Sequence, residues 1–197
     1  KAIHAFNKVI EWDPHDANAH TFRGLSHREL KNFEAALKDL KEVVRIDPNH
    51  RVGFLNLGCV QRDAGQVDLA LESFNTAEEG DSENPLVYQN RATAHILKEN
   101  WKAAQSDCET ALAIAPEGAA ACAVLAHVYL GTKEQDLAEQ TIARSLELDP
   151  EEAEAYRVRG IIRCANDDLE NGIADFIHAK ELNPNVQLDY LDNPEVL

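Results

Sequence analysis

The side chains that could do chemistry in this chain are its eight histidines, its four cysteines and its many carboxylates. His20 and His27 are seven residues apart, which places them on one face of a helix, but no third metal ligand falls in phase with them. The chain contains no HExxH motif, no Gly-rich phosphate-binding loop and no nucleophile elbow. We therefore predict no catalytic residue, no metal site and no cofactor, and we expect the chain not to be an enzyme.

The cysteines also lack a pattern that would bind a metal. They stand far apart, without a CxxC pair, at Cys59, Cys108, Cys122 and Cys164. Isolated cysteines in a reducing compartment behave as small buried apolar residues. We therefore expect a cytoplasmic protein with free cysteines; a structural disulfide is the alternative.

The composition limits the class of partner. Acidic residues number 35 and basic residues 19, so the formal net charge is −16. Binding to a phosphate backbone requires clustered Lys and Arg, so we predict no nucleic-acid partner. The acidic excess favours a solvated surface, and a groove for basic partners is the alternative. No apolar run approaches the roughly 18 residues that cross a bilayer, so we predict no direct membrane insertion.

Proline recurs along the chain at intervals of 34 residues or twice that, at Pro14, Pro48, Pro116, Pro150 and Pro184. Ser82 occupies the one place that the series skips. A fixed period of this size is typical of stacked helical or strand units. It predicts a half repeat, 1–16, then full repeats 17–50, 51–84, 85–118, 119–152 and 153–186, and a short C-terminal cap or tail, 187–197.

Small and large residues keep the same phase in every repeat, counted from 1 to 34. Position 8 carries Gly or Ala, position 20 carries Ala or Gly, and position 24 carries a larger apolar residue or Cys. Positions 4, 7, 8 and 11 fall on one stripe of a first helix, and positions 20, 24 and 27 on one stripe of a second. Small residues at 8 and 20 let the two helices approach closely, and the proline near position 32 ends the second helix.

Several segments carry a family pattern: "FLNLG" (54–58), "ALESF" (70–74), "GIADF" (172–176) and the Asp-Pro endings. They resemble the tetratricopeptide repeat, whose signature runs W-x2-L-G-x2-Y, A-x3-F, P over 34 residues, and the resemblance covers residues 1–186. It implies an all-α, right-handed superhelical solenoid of antiparallel helix pairs, with about five and a half repeats forming a single domain. It also implies a concave groove lined by positions 2, 5, 9, 12 and 13 of each first helix.

The 51–84 repeat departs from the pattern, since Glu78, Gly80 and Ser82 stand where two apolar residues and the proline belong. We expect its second helix to end early in an acidic turn, with Asn84 capping the next helix and Pro85 as that helix's first residue. This turn is interpreted either as a flexible hinge or as a plain variant turn.

The two ends also depart from the repeat. Segment 1–16 is a second helix without its first helix, so Ala2, Phe6 and Val9 should lack their usual cover. At the other end, Tyr190 falls at position 4, but Pro194 falls where a small residue is required, so a helix there must stop. Because the chain starts at Lys1 and contains no Met, we expect a piece of a longer protein with further repeats upstream.

Arginine replaces the expected leucine at position 7 in alternate repeats, and those same repeats carry aspartate at position 23. A charge in a packing position needs an opposite charge, so we predict structural ion pairs between the two helices of these repeats. The pairs are Arg23 with Asp39, Arg91 with Asp107, and Arg159 with Asp175.

The groove positions are apolar in the middle repeats, and the segment "AAACAVLAHVYL" (119–130) is apolar nearly all round. A bound segment would explain this; the alternative is that alanine is simply a good helix former. The predicted partner-binding residues are Leu25, Arg28, Val52, Leu55, Cys59, Arg62, Leu86, Gln89, Thr93, Ile96, Leu97, Ala123, His127, Leu130, Arg157 and Ile161. We expect Leu55, Leu86, Ile96 and Leu130 to be anchors, with Leu86 and Ile96 pointing away from the core.

These patterns predict a non-catalytic protein-interaction scaffold or adaptor that binds an amphipathic or extended apolar segment in the groove. One alternative is a regulatory or targeting module of a larger enzyme. Another is a self-assembling scaffold, a homo-oligomer joined through its uncovered ends. Relatives that hold the C-terminal tails of Hsp70 and Hsp90 use a clamp with Lys at position 5. Here position 5 carries Thr21, Leu55, Gln89, Ala123 and Arg157, so we predict no binding of those tails.

Overall fold

The structure, a computed structural model, describes residues 2–186 and residue 188. Within these residues the secondary structure is eleven α-helices without a strand. None of these helices combines the length and the apolar character needed to cross a membrane. In chain order they are α1 Ala2–Trp12, α2 Ala17–Glu29, α3 Phe33–Ile46, α4 Arg51–Asp63, α5 Val67–Gly80, α6 Pro85–Leu97, α7 Trp101–Ile114, α8 Ala119–Gly131, α9 Gln135–Leu148, α10 Ala153–Ala165 and α11 Leu169–Leu182.

The helices repeat with the predicted period. The first helices of the five full repeats (α2, α4, α6, α8 and α10) have 13 residues each, and the second helices have 14. Helix pairs α2–α3, α4–α5, α8–α9 and α10–α11 pack together. The predicted all-α fold of 34-residue helix pairs is confirmed.

The chain divides into two compact units, Lys1–Lys98 (unit 1) and Glu99–Leu197 (unit 2). The division falls inside the 85–118 repeat, between α6 and α7. The single continuous solenoid over 1–186 stays a prediction.

The core of unit 1 forms where small residues let helices approach. A Cβ atom added at Gly58 of α4 would lie 2.6 Å from the ring of Phe74, so only glycine leaves room for this fully buried ring of α5. Phe74 packs in a buried cluster with Ala70 and Ala77 of its own helix and with Val87 of α6.

Unit 2 repeats this arrangement. Gly160 of α10 lies beneath the ring of Phe176 of α11, where an added Cβ would again stand 2.6 Å from the ring. Phe176 belongs to a cluster with Ala179, Val186 and Leu188, so the chain beyond α11 contributes to this core through Val186 and Leu188.

Helix α5 does not end early, which corrects the expectation from Glu78, Gly80 and Ser82. It continues to Gly80 and is as long as the equivalent α3. The reason is a contact across the pair: Arg51 of α4 donates from Nη1 to the carbonyl of Thr76 at 3.1 Å, and its side chain occupies the space beside Gly80. The Arg51 guanidinium thereby bonds a carbonyl near the C-terminal end of α5 and fills the space beside its last residue.

The start of α6 follows the sequence prediction. The side chain of Asn84 caps the helix by accepting from the backbone N–H of Leu86 at 3.1 Å. Pro85 is the first helical residue, where its missing N–H costs no hydrogen bond.

The ends of the chain are only partly described. In α1, Phe6 stacks on Phe22 of α2 with ring centroids 5.8 Å apart, while Ala2 and Val9 are exposed. The predicted cap 187–197 falls outside the described residues except for Leu188, so the interpretation of Tyr190 and Pro194 stays a prediction.

Candidate functional site

The structure brings Arg23 of α2 and Asp39 of α3 together through a two-pronged hydrogen bond. Arg23 donates from Nε to Oδ2 at 2.8 Å and from Nη2 to Oδ1 at 2.6 Å. The hydrogen bond to Asp39 raises the pKa of Arg23 despite its partial burial. His20 lies 3.2 Å from the same carboxylate, and Asn7 of α1 accepts from Arg23 at 2.8 Å. These contacts of Asn7, His20, Arg23 and Asp39 join α1, α2 and α3. Because Asp39 is buried, its carboxylate is not accessible.

Arg159 of α10 and Asp175 of α11 form the same arrangement in unit 2. The distances are 2.9 Å from Nε and 2.7 Å from Nη2, and Arg163 adds a third bond to Asp175 at 2.8 Å. The guanidinium of Arg159 also lies over the ring of Tyr156, 4.9 Å from its centroid. As in unit 1, the aspartate is buried and its oxygens are occupied.

The third predicted pair involves residues of different units, and its pairing stays a prediction. Within unit 1, Arg91 donates to Asn75 at 2.8 Å, forms an ion pair with Glu78, and lies over the ring of Tyr88. Asp107 is buried in α7.

A neutral contact links the two helices of the 51–84 repeat, and sequence reasoning missed it. Ser73 of α5 donates to the amide oxygen of Gln61 on α4 at 2.6 Å, and both residues are buried. Gln61 stands at position 11 and Ser73 at position 23, the position of aspartate in the charged repeats. The sequence signal for this contact was a polar residue at position 11, a core position, in the repeat that carries serine at position 23.

Two of the predicted groove residues of unit 1 are core residues, which corrects the prediction. Leu55 and Cys59 are buried in the cluster that includes Phe74 and Val87. They are covered because α4 also packs against α6, the first helix of the next repeat. Burial accordingly raises the pKa of the Cys59 thiol, which disfavours the reactive thiolate.

Ile96 is a further correction. It is only 8% exposed, because it lies one turn after the fully buried Ala92 and shares its side of α6. The expectation that Ile96 points away from the core as an anchor is wrong.

In unit 2 the same correction applies to Ala123. It is fully buried in a cluster with Ala155, Val158 and Ile162, because α8 packs against α10. Of the other predicted positions there, Leu130 is partly buried against this cluster and Ile161 against the cluster of Phe176.

Three predicted groove residues of unit 1 remain half exposed: Val52, Leu86 and Leu97, each at 51%. Val52 and Leu86 stand at position 2 of adjacent first helices, α4 and α6. Partly buried positions complete the set: Leu25, Gln89 and Thr93, whose hydroxyl donates to the carbonyl of Gln89. We call the side of α2, α4 and α6 on which these six residues lie, together with Arg28, Arg62 and Asp63, the first-helix face of unit 1.

A polar network crosses this first-helix face, and sequence reasoning named its arginines without their partners. Arg28 of α2 donates from Nε to Asp63 Oδ2 at 2.7 Å, and Arg62 donates to Asp63 Oδ1 at 3.0 Å. Arg62 also donates to the amide oxygen of Asn90 on α6 at 2.9 Å. Burial lowers the pKa of Arg28, but attraction and hydrogen bonding to Asp63 outweigh it and leave that pKa raised.

In unit 2, His127 of α8 stands at position 9, the place of Cys59 in unit 1. Arg157 of α10 lies with Nη2 3.0 Å from His127 Nδ1 and also bonds both oxygens of Glu154. The ring of Trp101 lies 6.5 Å from the His127 ring. Burial and, after it, the charge of Arg157 lower the pKa of His127 to about 4. His127 is therefore a neutral acceptor for Arg157, in the tautomer that carries its proton on Nε2.

No part of this geometry resembles a metal centre. Within residues 2–186 and residue 188, no three His, Cys, Asp or Glu side chains come together in a way that could hold a metal ion. The four cysteines are free; three are buried and Cys164 is partly buried against Gly172.

Two separate parts of the chain match the same protein family. Sequence profiles described as "Tetratricopeptide repeat" match residues 17–50 and residues 95–162, which together make up just over half of the chain. The first match coincides with a full repeat of the predicted frame.

Relatives match nearly the whole chain. It is 24% identical over 193 residues to BBSome complex member BBS4 of Bos taurus, covering 96% of this chain and 37% of that protein. It is 28% identical over 200 residues to DnaJ homolog subfamily C member 7 of Homo sapiens, covering 93% and 40%. The chain thus spans about two fifths of the length of these curated relatives.

A solved structure supports the fold. The chain superposes on TTC0263, a thermophilic TPR protein of Thermus thermophilus, with a TM-score of 0.77 at 20% identity, covering 88% of this chain and 94% of that one. At this identity the likeness concerns the fold alone. The period, the helix pairs, the profile matches and this superposition agree, and the chain belongs to the tetratricopeptide repeat family.

Proposed function

We propose that the chain is a non-catalytic protein-interaction scaffold and that the first-helix face of unit 1 binds an extended or amphipathic segment of a partner protein. The observation that carries the proposal is the pair of half-exposed side chains Val52 and Leu86. They stand at the same position of α4 and α6, which pack against each other. Two equivalent apolar side chains on adjacent helices form a surface on which a partner's apolar residues can be buried.

The energetics favour apolar contacts over charged ones on this face. Burial of the remaining exposed half of Val52 and of Leu86 contributes about 1 kcal/mol each, before ordering of the partner is counted. Leu97 and the partly buried Leu25 extend the apolar surface along α6 and α2. Leu55, Ile96 and Ala123 have no part in it, because they are buried in the protein's own core.

The relatives support the class of protein in this proposal, a protein-interaction scaffold. One relative is by its name a member of the BBSome complex. Assembly through helix-pair repeats agrees with a chain in which the buried Asp39 and Asp175 are engaged in ion pairs and the four cysteines are free.

The test is selection of random 12-residue peptides displayed on phage by the wild-type chain and by two variants. Val52→Asp with Leu86→Asp should abolish enrichment of apolar peptides, because it places two carboxylates where the anchors dock. Leu69→Asp is the matched control: Leu69 is 44% exposed on α5 of the same unit but lies outside the first-helix face. Circular dichroism checks that all three proteins are equally helical.

Two results would contradict the proposal. One is selection of the same peptides by the wild type and by the Val52→Asp, Leu86→Asp variant, which would place binding on another surface. The other is the absence of any enriched peptide on folded wild-type protein.

A further inference from the structure

The polar network on the first-helix face of unit 1 contains more positive groups than it contains carboxylates. The guanidinium groups of Arg28 and Arg62 both donate to one carboxylate, that of Asp63. All three side chains are largely removed from water, with exposures of 29%, 14% and 19%. Two cations that share one anion in such surroundings leave one positive charge without a direct partner.

The two arginines differ in how many of their donors are used. Arg62 donates from Nε and Nη2 to Asp63 and from Nη1 to Asn90. Among the described residues, Arg28 donates from Nε alone, so its two terminal nitrogens have no protein acceptor. Glu29 is the next residue; it is exposed, and it acts on Arg28 less strongly than Asp63 does.

We propose, building on the proposed function, that Arg28 binds a side-chain carboxylate of the partner segment, with Asp63, itself bonded by Arg62, holding the Arg28 guanidinium in place. A carboxylate accepts two parallel N–H bonds from a guanidinium, which matches the unused nitrogens of Arg28. It adds one negative charge where one is lacking. A polyanion would instead be repelled by a chain of net charge −16.

The distance between Arg28 and the apolar side chains of the face sets how far apart the acidic and the apolar residue of the ligand must be. The Arg28 guanidinium is bonded to Asp63 at the C-terminal end of α4, and Asp63 is eleven residues from Val52, about 16 Å along the helix axis at 1.5 Å per residue. An extended segment advances about 3.3 Å per residue. The ligand therefore carries Asp or Glu four or five positions from an apolar residue such as Leu, Ile, Val or Phe.

The experiment uses the full chain and the peptides that it selects from the random 12-residue library. Wild-type protein should enrich peptides with an acidic residue four or five positions from an apolar one. One such peptide, made with an amidated C-terminus, is measured by calorimetry beside its Glu→Gln form. Arg28→Gln should weaken binding of the Glu peptide about tenfold and leave binding of the Gln peptide unchanged.

The controls separate this contact from general effects of charge and folding. Arg45→Gln removes an equal charge from α3 of the same unit, where Arg45 is 62% exposed, and should leave both affinities unchanged. Arg28→Lys keeps the charge but loses the two-pronged geometry and should recover part of the affinity. Asp63 keeps Arg62 as its partner in both Arg28 variants, so the network is not left with an unpaired carboxylate.

The outcomes distinguish failure of the Arg28 carboxylate site from failure of the proposed function. If the wild type enriches apolar peptides without an acidic preference, or if Arg28→Gln weakens the Glu and Gln peptides equally, the carboxylate site is wrong and the proposed function stands. If a carboxylate binds only as a free chain end, and not in the amidated peptide, the side-chain assignment is wrong. If no peptide is enriched, both proposals fail together.

Discussion

At the scale of single residues, the buried carboxylates of Asp39 and Asp175 each have a bonded opposite charge. Arg23 and Asp39 join α2 to α3, and Arg159 and Asp175 join α10 to α11, each through two short hydrogen bonds. The equivalent places in the 51–84 repeat hold Leu57 and Ser73, which shows that the fold accepts an apolar and neutral solution at the same positions. A buried ion pair is costly to break on one side and cheap to replace on both.

This asymmetry gives a double-mutant prediction for unit 1. Arg23→Leu should lower the free energy of unfolding by about 3–5 kcal/mol, because it leaves the buried Asp39 with His20 alone. Arg23→Leu combined with Asp39→Ser copies the 51–84 repeat and should recover much of that loss. Urea unfolding followed by circular dichroism measures the cycle, with the exposed Arg45→Leu as the control that changes little. Purely additive losses would show that the contact does not stabilise the fold.

His127 gives a pH-dependent prediction at the same scale. Its pKa is about 4 in the folded chain, below the 6.5 of a free imidazole, so the unfolded chain binds a proton more readily between these pH values. The stability linked to this group is therefore complete above about pH 6.5 and is lost as the pH falls toward 4, by roughly 2–3 kcal/mol. His127→Gln should show a smaller fall in the urea midpoint between pH 7.5 and pH 4.5 than the wild type.

The control for that measurement is His4→Gln, since His4 is exposed on α1. It should reproduce the wild-type pH dependence. An unchanged pH dependence in His127→Gln would mean that burial and the charge of Arg157 do not hold the imidazole neutral.

At the scale of helices, the distance between paired helices is set by matching sizes at positions 8 and 24. Glycine stands opposite the rings of Phe74 and Phe176, whereas Ala126 accompanies the smaller Ile142. In these three pairs the larger residue at position 24 is accompanied by the smaller residue at position 8. Close packing explains this compensation, since an extra methyl group in a filled interface forces the helices apart.

The compensation predicts the effect of Gly58→Ala. The added Cβ would stand 2.6 Å from the rigid ring of Phe74, so the free energy of unfolding should fall by about 1–3 kcal/mol. Gly58→Ala with Phe74→Ile copies the pair at 126 and 142 and should be more stable than the sum of the single changes implies. Gly24→Ala is the matched control, because its Cβ would meet Leu40 at 3.1 Å and alanine favours the helix. Equal losses at the two glycines would contradict the size-matching argument.

At the scale of the whole chain, charge separates this protein from relatives that hold acidic tails. The net charge is −16, and the repeat position that carries the clamp lysine in those relatives holds Thr21, Leu55, Gln89, Ala123 or Arg157. Arg157 is itself bonded to Glu154 and His127. A ligand with two adjacent carboxylates would therefore meet an acidic surface without the necessary cations.

We accordingly predict no calorimetric heat of binding for a peptide that ends in Glu-Glu-Val-Asp, at concentrations up to about 100 μM. This outcome is compatible with the proposal that Arg28 binds one side-chain carboxylate. A ligand with a single carboxylate away from its C-terminus is repelled less by the acidic chain than a ligand with several carboxylates clustered at its C-terminus. A known tail-binding tetratricopeptide domain serves as the positive control. A micromolar dissociation constant for this chain would refute the prediction.

The repeat and its helices could be predicted without the structure, because their signals are local. Proline spacing, small residues at positions 8 and 20, and the Asn84–Pro85 cap act over short distances, since helix ends and helix faces depend on residues a few positions apart. The helix pairs therefore recur with the predicted period, and Arg23 lies opposite Asp39 as a helical hairpin of this length requires.

The accessibility and the contacts of the first-helix face, by contrast, depend on how neighbouring repeats pack. Helical periodicity predicts the face of the helix on which Leu55 or Ala123 lies. Whether that face is exposed to water or buried depends on how the neighbouring first helix packs against it. The contact of Arg28 with Asp63 joins residues 35 positions apart in adjacent repeats, and that of Arg51 with Gly80 depends on the absence of a side chain. Such contacts depend on distances between helices, which no pattern within a single helix encodes.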